Sequence, residues 1–223
     1  MVNQYNDIYV GVCVPHMGIW AAEFGRSLAL MFSSFTHATR DWNNLRLGLF
    51  TAQGSMIASQ RQKLVGSALR AGCTHILFLD SDMKFPQNLL IRLLQHQKPF
   101  VAANCTTRSS PTLPVAYGLD GIRLMSKGKT GLEEILHVGL AVALIEAKVF
   151  KSMELPLFIQ DWIPSMNHHC GEDIFFCHKV AELGYPILVD HDVSQEIGHV
   201  GSRVYTHADT SEELIDQENC YGA

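Results

Sequence analysis

The chain has 223 residues, 47% of them hydrophobic and 17% charged, with a formal net charge of −5. That size and balance fit one α/β domain with a full core and exclude a disordered or collagen-like chain. The sequence carries no Lys/Arg block, which argues against a broad electrostatic footprint on nucleic acid, and no apolar run of membrane-spanning length.

Residues 1–11 lack the basic-then-apolar pattern of a signal peptide, so the expected setting is cytoplasmic. Cys13, Cys73, Cys105, Cys170, Cys177 and Cys220 are scattered through the chain, as reduced thiols would be and a disulfide framework would not.

Asp7 to Val14 reads as a first strand, ending in Pro15-His16-Met17-Gly18. Trp20 to Phe35 carries apolar residues at helical spacing. Leu45 to Thr51 is a second strand, and Met56 to Ala71 a second helix, with Ser55 as its cap and Gly72 as its stop. Ile76 to Leu79 is a short unbroken apolar run, the mark of a strand buried on both faces. It breaks off in Asp80-Ser81-Asp82, and Pro86 precedes a helical pattern from Asn88 to His96. Pro99 to Asn104 is a fourth strand. This alternation predicts a mainly parallel, doubly wound α/β sheet with right-handed crossovers over roughly the first 105 residues.

The pattern then changes. Thr106 to Pro114 is a polar loop, and short strands, some antiparallel, are expected at Val115–Tyr117, Ile122–Met125 and within Glu133–Ile145. Lys148 to Met153 forms a helical turn or two, and Pro156 to Cys170 is irregular. Glu172 to Leu183 is a helix stopped by Gly184, and Ile187 to Val189 a strand. The organisation is one domain: a ligand-binding part over about 1–105, a second part over about 106–206, and a polar, peripheral tail over 207–223.

Four places carry chemistry. Asp80 and Asp82 lie at the carboxyl end of a central strand, where open α/β sheets bind ligands. Two carboxylates one residue apart repel each other unless something positive lies between them or on one of them, and a hard divalent cation fits. The plain alternative is a helix cap and a solvated turn residue. Glu172 and Asp173 open a helix; they complement its dipole, and either could act as a general base. His199, between Gly198 and Gly201, could be a surface loop residue or a metal ligand. Arg61 and Arg108 could be surface charges or bidentate partners of phosphate. A rival cluster, His168, His169, Cys170, Cys177 and His178, matches no common zinc spacing. The other histidines, His16 among them, receive no role. No nucleophile elbow or Walker-type loop is present.

Taken in order, these stretches resemble the GT-A glycosyltransferases, above all small family-2-type members including those of bacteriophages. The resemblance rests on Pro15, Ser59-Gln60-Arg61-Gln62, His75 through Pro86, Arg108 and its Pro-containing loop, Val138-Gly139 with Ile145 and Val149-Phe150, Gly171 through Cys177, and Gly198 through Gly201. It spans roughly Ile8 to Gly201. Two places depart from the family: Gln62 stands where Asn is expected, and Leu140-Ala141 replaces a smaller or more polar pair.

The resemblance implies a GT-A-like, Rossmann-like sheet with a smaller antiparallel, acceptor-side portion. It implies a nucleotide-sugar donor, a UDP- or GDP-sugar, held near Pro15, Arg61, Asp80, Ser81, Asp82 and Arg108. Mn²⁺ or Mg²⁺ would bridge the diphosphate, with Asp82 and His199 as ligands and Asp80 on the ribose or the metal. Asp173, or Glu172, would deprotonate the acceptor hydroxyl, giving inversion. The acceptor stays open among a polysaccharide, a protein, a small metabolite and a hydroxymethylated DNA base. The phage-like members raise the last of these and would put the protein in a host cytoplasm; the negative net charge lowers it. Trp162 and the His168-His169 pair are candidates for acceptor contact. Two alternatives are a nucleotidyltransferase on a related sheet and an inactive nucleotide-sugar-binding or metal-binding module.

Overall fold

The structure, a computed structural model, describes residues 7–40, 44–163 and 168–211. The side chains of 161–163 and 168–169 lie outside the described residues. So do the expected acceptor contacts of Trp162, His168 and His169, the histidine pair of the Cys/His cluster, and the tail beyond 211.

Strand β1 (Ile8–His16) leads into α1 (Ala22–Thr39), and β2 (Leu45–Gln53) into α2 (Ile57–Arg70). Strand β3 (His75–Leu79) ends in the acidic turn, followed by β4 (Met83–Lys84) and α3 (Leu89–Gln95). Then come β5 (Phe100–Ala102), β6 (Tyr117–Gly118), β7 (Leu132–His137), β8 (Val142–Glu146) and α4 (Ala147–Lys151). Strands β9 (Asp161–Ile163) and β10 (His168–Cys170) pair antiparallel ahead of α5 (Glu172–Glu182). The described chain closes with β11 (Leu188–Asp190), α6 (His191–Ser194), β12 (Gly198–Val200), β13 (Val204–Tyr205) and a 3₁₀ turn at His207–Asp209.

The central sheet has eight strands in the order β2-β1-β3-β8-β5-β11-β7-β6. Strands β1, β2 and β3 are mutually parallel, and β5 is parallel to β11. Strand β8 runs against both β3 and β5, so those five strands share one direction. Strand β6 opposes β7 as β7 opposes β11, and it joins them, giving six of eight strands running one way. The architecture is the expected mostly parallel α/β sheet with a small separate antiparallel sheet, β13-β12-β4.

The central apolar run is explained by burial on both faces. Ile76 and Phe78 of β3 enter one core with Leu64, Val65 and Phe176 from α2 and α5. Leu77 and Leu79 enter the other, with Phe24, Leu28, Met31 and Leu90 from α1 and α3. Each fully buried large side chain contributes about 1.5–3 kcal/mol, so β3 is firmly fixed in the middle of the sheet and presents its carboxyl end from there.

Three expectations are corrected, and the strand order adds a point of topology. Strands β3 and β5 are not neighbours: β8, from the later part of the chain, lies between them, so the two parts share one sheet. Val142–Glu146 suits that place because four of its five residues are buried, alternating between the two cores. Ile122–Met125 forms no strand, only an isolated bridge between Arg123 and Tyr117. Ser55 does not cap α2, which starts one residue too late for it, at Ile57. The segment after Thr206 is not wholly peripheral: His207 is buried, with Nε2 2.5 Å from the Asn104 carbonyl. Gly72 and Gly184, in contrast, end their helices as expected, at φ +81° and +75°.

Candidate active site

The carboxyl ends of β1 and β3 frame a cleft of about 550 Å³. Pro15, Asp80, Ser81, Asp82 and Arg108 line it, so five of the residues singled out from the sequence meet in one wall. The acidic turn is held by backbone bonds: Asp80 N–H donates to Ala141 O (2.9 Å), Ala21 N–H to Ser81 O (3.0 Å) and Val200 N–H to Asp82 O (2.8 Å).

That last bond belongs to the small antiparallel sheet, whose pairing of β12 with β4 sets His199 opposite Met83. The glycines around His199 sit in close packing. A Cβ on Gly198 would run into Val204, and one on Gly201 would come within 3.2 Å of Tyr205 and 3.4 Å of Arg108. His199 Nδ1 lies 2.6 Å from the Thr106 carbonyl. A carbonyl only accepts, so Nδ1 carries the proton and, in the neutral ring, Nε2 carries the lone pair. Nε2 sits 3.5 Å from Asp82 Oδ2. Two lone pairs facing each other call for a proton or a cation between them.

Arg108 Nη1 lies 2.9 Å from Asp82 Oδ2. Burial pushes the Asp82 carboxyl up, but His199 and Arg108 outweigh it and hold the group below the usual carboxylate range. Among the described residues no three His, Cys, Asp or Glu side chains gather as a metal site. A cation on Asp82 and His199 would therefore complete its shell with oxygens from a ligand or water. The donor set, one carboxylate and one imidazole oriented by a carbonyl, is of a kind that holds a divalent cation.

Asp80 is occupied differently. Arg61, from α2, donates through Nη2 to both its oxygens (3.1 and 3.3 Å) and through Nη1 to Glu172 Oε1. Arg61 is 3% exposed. Burial opposes its charge, but Asp80, Glu172 and Asp173 outweigh that and raise its pKa above the ordinary value. Its guanidinium lies 5.8 Å from the Phe78 ring centre. Both terminal nitrogens are thus committed inside the protein, which leaves Arg61 linking the acidic turn to the start of α5.

Glu172 is buried against Arg61. Burial pushes its carboxyl up, opposed by Arg61 and assisted by Asp173 and Asp80. Asp173 stands beside it, half-buried, accepting from Ile174 N–H at 2.8 Å. Its Oδ2 faces Gly139, where a Cβ would sit 3.5 Å away. Of the two carboxylates, Asp173 is the one without an arginine partner.

Several further residues shape the site. Gln60, one position before Arg61, accepts from His16 N–H and donates to Gly54 O, both at 2.8 Å, tying the β1–α1 turn to the β2–α2 turn. Gln62 accepts from Leu157 N–H at 2.9 Å. Leu140 is buried in the core and unavailable to a ligand. Cys177 donates to the Val138 carbonyl, and burial pushes its thiol up to about 12. The sequence run Ser59-Gln60-Arg61-Gln62 contains the signal for Gln60 and Gln62, since polar side chains at successive positions of one helix must face different neighbours. His16 left no such signal.

No protein-family model matches the chain, and no curated protein matches it by sequence. Solved structures do. A197 from STIV is 14% identical, with a TM-score of 0.58 over 91% of this chain and 92% of that one. S. aureus TarS 1–349 is 15% identical, with a TM-score of 0.46 over 83% and 58% of the two chains. The nucleoside-diphosphate-sugar pyrophosphorylase from Vibrio cholerae RC9 is 9% identical, with a TM-score of 0.45 over 85% and 94%. The match to A197 covers nearly the whole of both chains and identifies the fold, a GT-A-like α/β sheet.

Proposed function

We propose that the chain is a metal-dependent glycosyltransferase that moves a sugar from a nucleoside diphosphate donor to a hydroxyl acceptor with inversion. One observation carries the reading: Asp82, the carboxylate of the pair that Arg61 leaves free, faces His199 Nε2 at 3.5 Å, while Nδ1 of the same ring is held by the Thr106 carbonyl.

Asp82 and His199 would hold Mn²⁺ or Mg²⁺, which, when bound, neutralises the diphosphate leaving group. Arg108, exposed and 2.9 Å from Asp82, supplies a second positive charge to the phosphates. Asp80 keeps the turn in register through Arg61. Asp173 accepts the proton of the acceptor hydroxyl as its oxygen attacks the anomeric carbon and the nucleoside diphosphate departs; a positioned base contributes roughly 10²–10⁴-fold.

A nucleotidyltransferase would want main-chain and basic donors for a triphosphate at the β1–α1 turn. Here the His16 and Gly18 N–H groups are already engaged, and residues 15–20 contain no Lys or Arg. The test is release of UDP or GDP from a panel of nucleotide-sugars with Mn²⁺ and a range of hydroxyl acceptors. Release that depends on the cation and is abolished in Asp82→Ala is expected. Undiminished release by that variant would overturn the metal assignment, and turnover of nucleoside triphosphates with pyrophosphate release would favour the rival enzyme. Tight binding without turnover would point to an inactive module.

A further inference from the structure

Asn104 follows β5 by two positions and is fully buried. A buried amide is costly unless its polar groups find partners, and this one is saturated. Its Oδ1 accepts from the Val115 and Ala116 N–H groups (3.2 and 3.0 Å). Its Nδ2 donates to the Leu124 carbonyl (2.6 Å) and to Ser126 Oγ (3.1 Å). Backbone N–H groups only donate and a carbonyl only accepts, so the orientation of the amide is fixed. The main chain is held as well: the Asn104 N–H donates to Ser194 Oγ (2.8 Å), and its carbonyl accepts from His207 Nε2 (2.5 Å). One residue thus ties α6 and the 3₁₀ turn to the chain on both sides of β6.

These bonds bear on the cleft because of the loop that Asn104 begins. Between β5 and β6 the chain forms two legs, joined by Val115 N–H to the Cys105 carbonyl (3.0 Å) and Thr107 N–H to the Leu113 carbonyl (2.9 Å). The first leg carries the Thr106 carbonyl, which holds His199 Nδ1, and Arg108, which meets Asp82. The second carries Val115: a Cβ on Gly139 would lie 3.4 Å from its Cγ2 and 3.5 Å from Asp173 Oδ2. Asn104 stands at the base of the first leg, and its Oδ1 grips the second.

The grip is braced from outside. Ser126 Oγ lies 2.9 Å from His191 Nδ1, and His191 Nε2 lies 2.9 Å from Glu133 Oε2. The carboxylate accepts, so in the neutral ring Nε2 carries the proton, Nδ1 accepts, and the Ser126 hydroxyl donates to it. Ser126 Oγ is then left to accept from Asn104, and the donors run one way from Asn104 out to Glu133. Such a chain, with each member satisfied, specifies one arrangement.

We infer that Asn104 is a positioning residue: by clamping the two legs of this loop it sets the Thr106 carbonyl and Arg108 against His199 and Asp82. Its effect on ligands rests on the proposed metal and phosphate reading; its effect on His199 is readable without any ligand.

The test compares the native chain with Asn104→Ala and Ser126→Ala. Nitrogen NMR of the ligand-free His199 ring should show the neutral form protonated on Nδ1 in the native chain and a mixture of tautomers in Asn104→Ala. Affinity for UDP and GDP, each with Mn²⁺, should fall on the order of tenfold in Asn104→Ala. The same substitution made on top of Arg108→Ala should cost no more than about threefold, because the two act through one contact. Ser126→Ala weakens the same network but leaves the Oδ1 grip, so it should keep the native tautomer and bind within about twofold of native. If Asn104→Ala does not fold, Ser194→Ala loosens the same residue through its main chain and should give both signatures at smaller size. A native tautomer in Asn104→Ala, or an affinity loss that adds in full to that of Arg108→Ala, would overturn the assignment. So would an equal loss in Ser126→Ala, which would mean general destabilisation. Failure of both nucleoside diphosphates to bind the native chain would overturn the glycosyltransferase reading, and the His199 tautomer would then decide on Asn104 by itself.

Discussion

Asp80 and Asp82 stand two positions apart on one turn, yet their surroundings differ in kind. Asp80 gives both oxygens to Arg61, a guanidinium 3% exposed that also holds Glu172. Asp82 meets Arg108 and His199, whose side chains are 51% and 19% exposed, at the mouth of a cleft. The first centre is an internal ion-pair network around a buried guanidinium, with the Asp80 side chain itself 27% exposed and Arg61 Nε without a partner among the described residues. The second is more open, with Arg108 Nη1 and His199 Nε2 both facing the Asp82 carboxylate. The difference teaches that an Asp-x-Asp pair need not be two copies of one function. Here one acid fastens the turn to the start of α5, and the other is left available to a ligand.

The largest expected effect comes from breaking the closed centre. Arg61→Ala strands Glu172 in the interior without its cation, and loss of about 3–5 kcal/mol in urea unfolding is expected. Arg61→Met combined with Glu172→Leu should recover most of that loss, because a well-packed apolar pair removes the stranded charge. If Arg61→Ala unfolds at the native midpoint, the closed centre is no centre at all.

Removing the base comes next. Asp173→Asn should lower kcat by about 10²–10⁴-fold with the melting temperature little changed, measured as nucleoside diphosphate release under saturating donor. Glu172→Gln should reverse that profile, costing stability more than rate. Equal behaviour of the two variants would erase the distinction between partnered and free carboxylates at the start of α5.

Arg108→Ala sits lower on the scale. An exposed ion pair is worth roughly 0–1 kcal/mol, so folding should be nearly unaffected while donor affinity falls several-fold and loses part of its salt dependence. The smallest effect is in pH. The Asp82 carboxyl titrates below its unfolded value, so its stabilising contribution is complete above the ordinary carboxylate range and is lost as pH falls through its lowered folded pKa. The Glu172 carboxyl titrates above its unfolded value, so its contribution runs the other way: present at low pH and lost as pH rises through its raised folded pKa. In acid unfolding curves, Asp82→Asn should therefore flatten the loss of stability with falling pH, and Glu172→Gln should steepen it. Slopes of the same sign would merge the two centres.

The legible parts of this molecule were those where one physical demand acts on consecutive residues. Ile76 to Leu79 is apolar throughout because both of its faces are buried, and the abrupt Asp80-Ser81-Asp82 marks where the sheet meets solvent. Gly198 stands out because Val204 leaves no room for a Cβ, and Gly201 because Tyr205 and Arg108 leave little. The illegible parts depend on distant partners. The pairing of Met83–Lys84 with Gly198–Val200, which brings His199 to Asp82, is too short to leave a period. The insertion of β8 between β3 and β5 is a matter of topology, since its buried run would suit any central position. Arg61 on an amphipathic helix looks like a surface or phosphate-binding cation until Glu172, 111 residues away, is seen against it.

The most direct test of the open centre is a titration of UDP- and GDP-sugars into the native chain and into Asp82→Asn, with and without Mn²⁺, followed by melting temperature. A ligand at ~100 times its dissociation constant adds about 2.7 kcal/mol, a readily visible shift. Stabilisation of the native chain that requires the cation and vanishes in Asp82→Asn, while the ligand-free melting temperatures agree, is the expected result. Stabilisation that needs no cation, or that survives intact in Asp82→Asn, would contradict it.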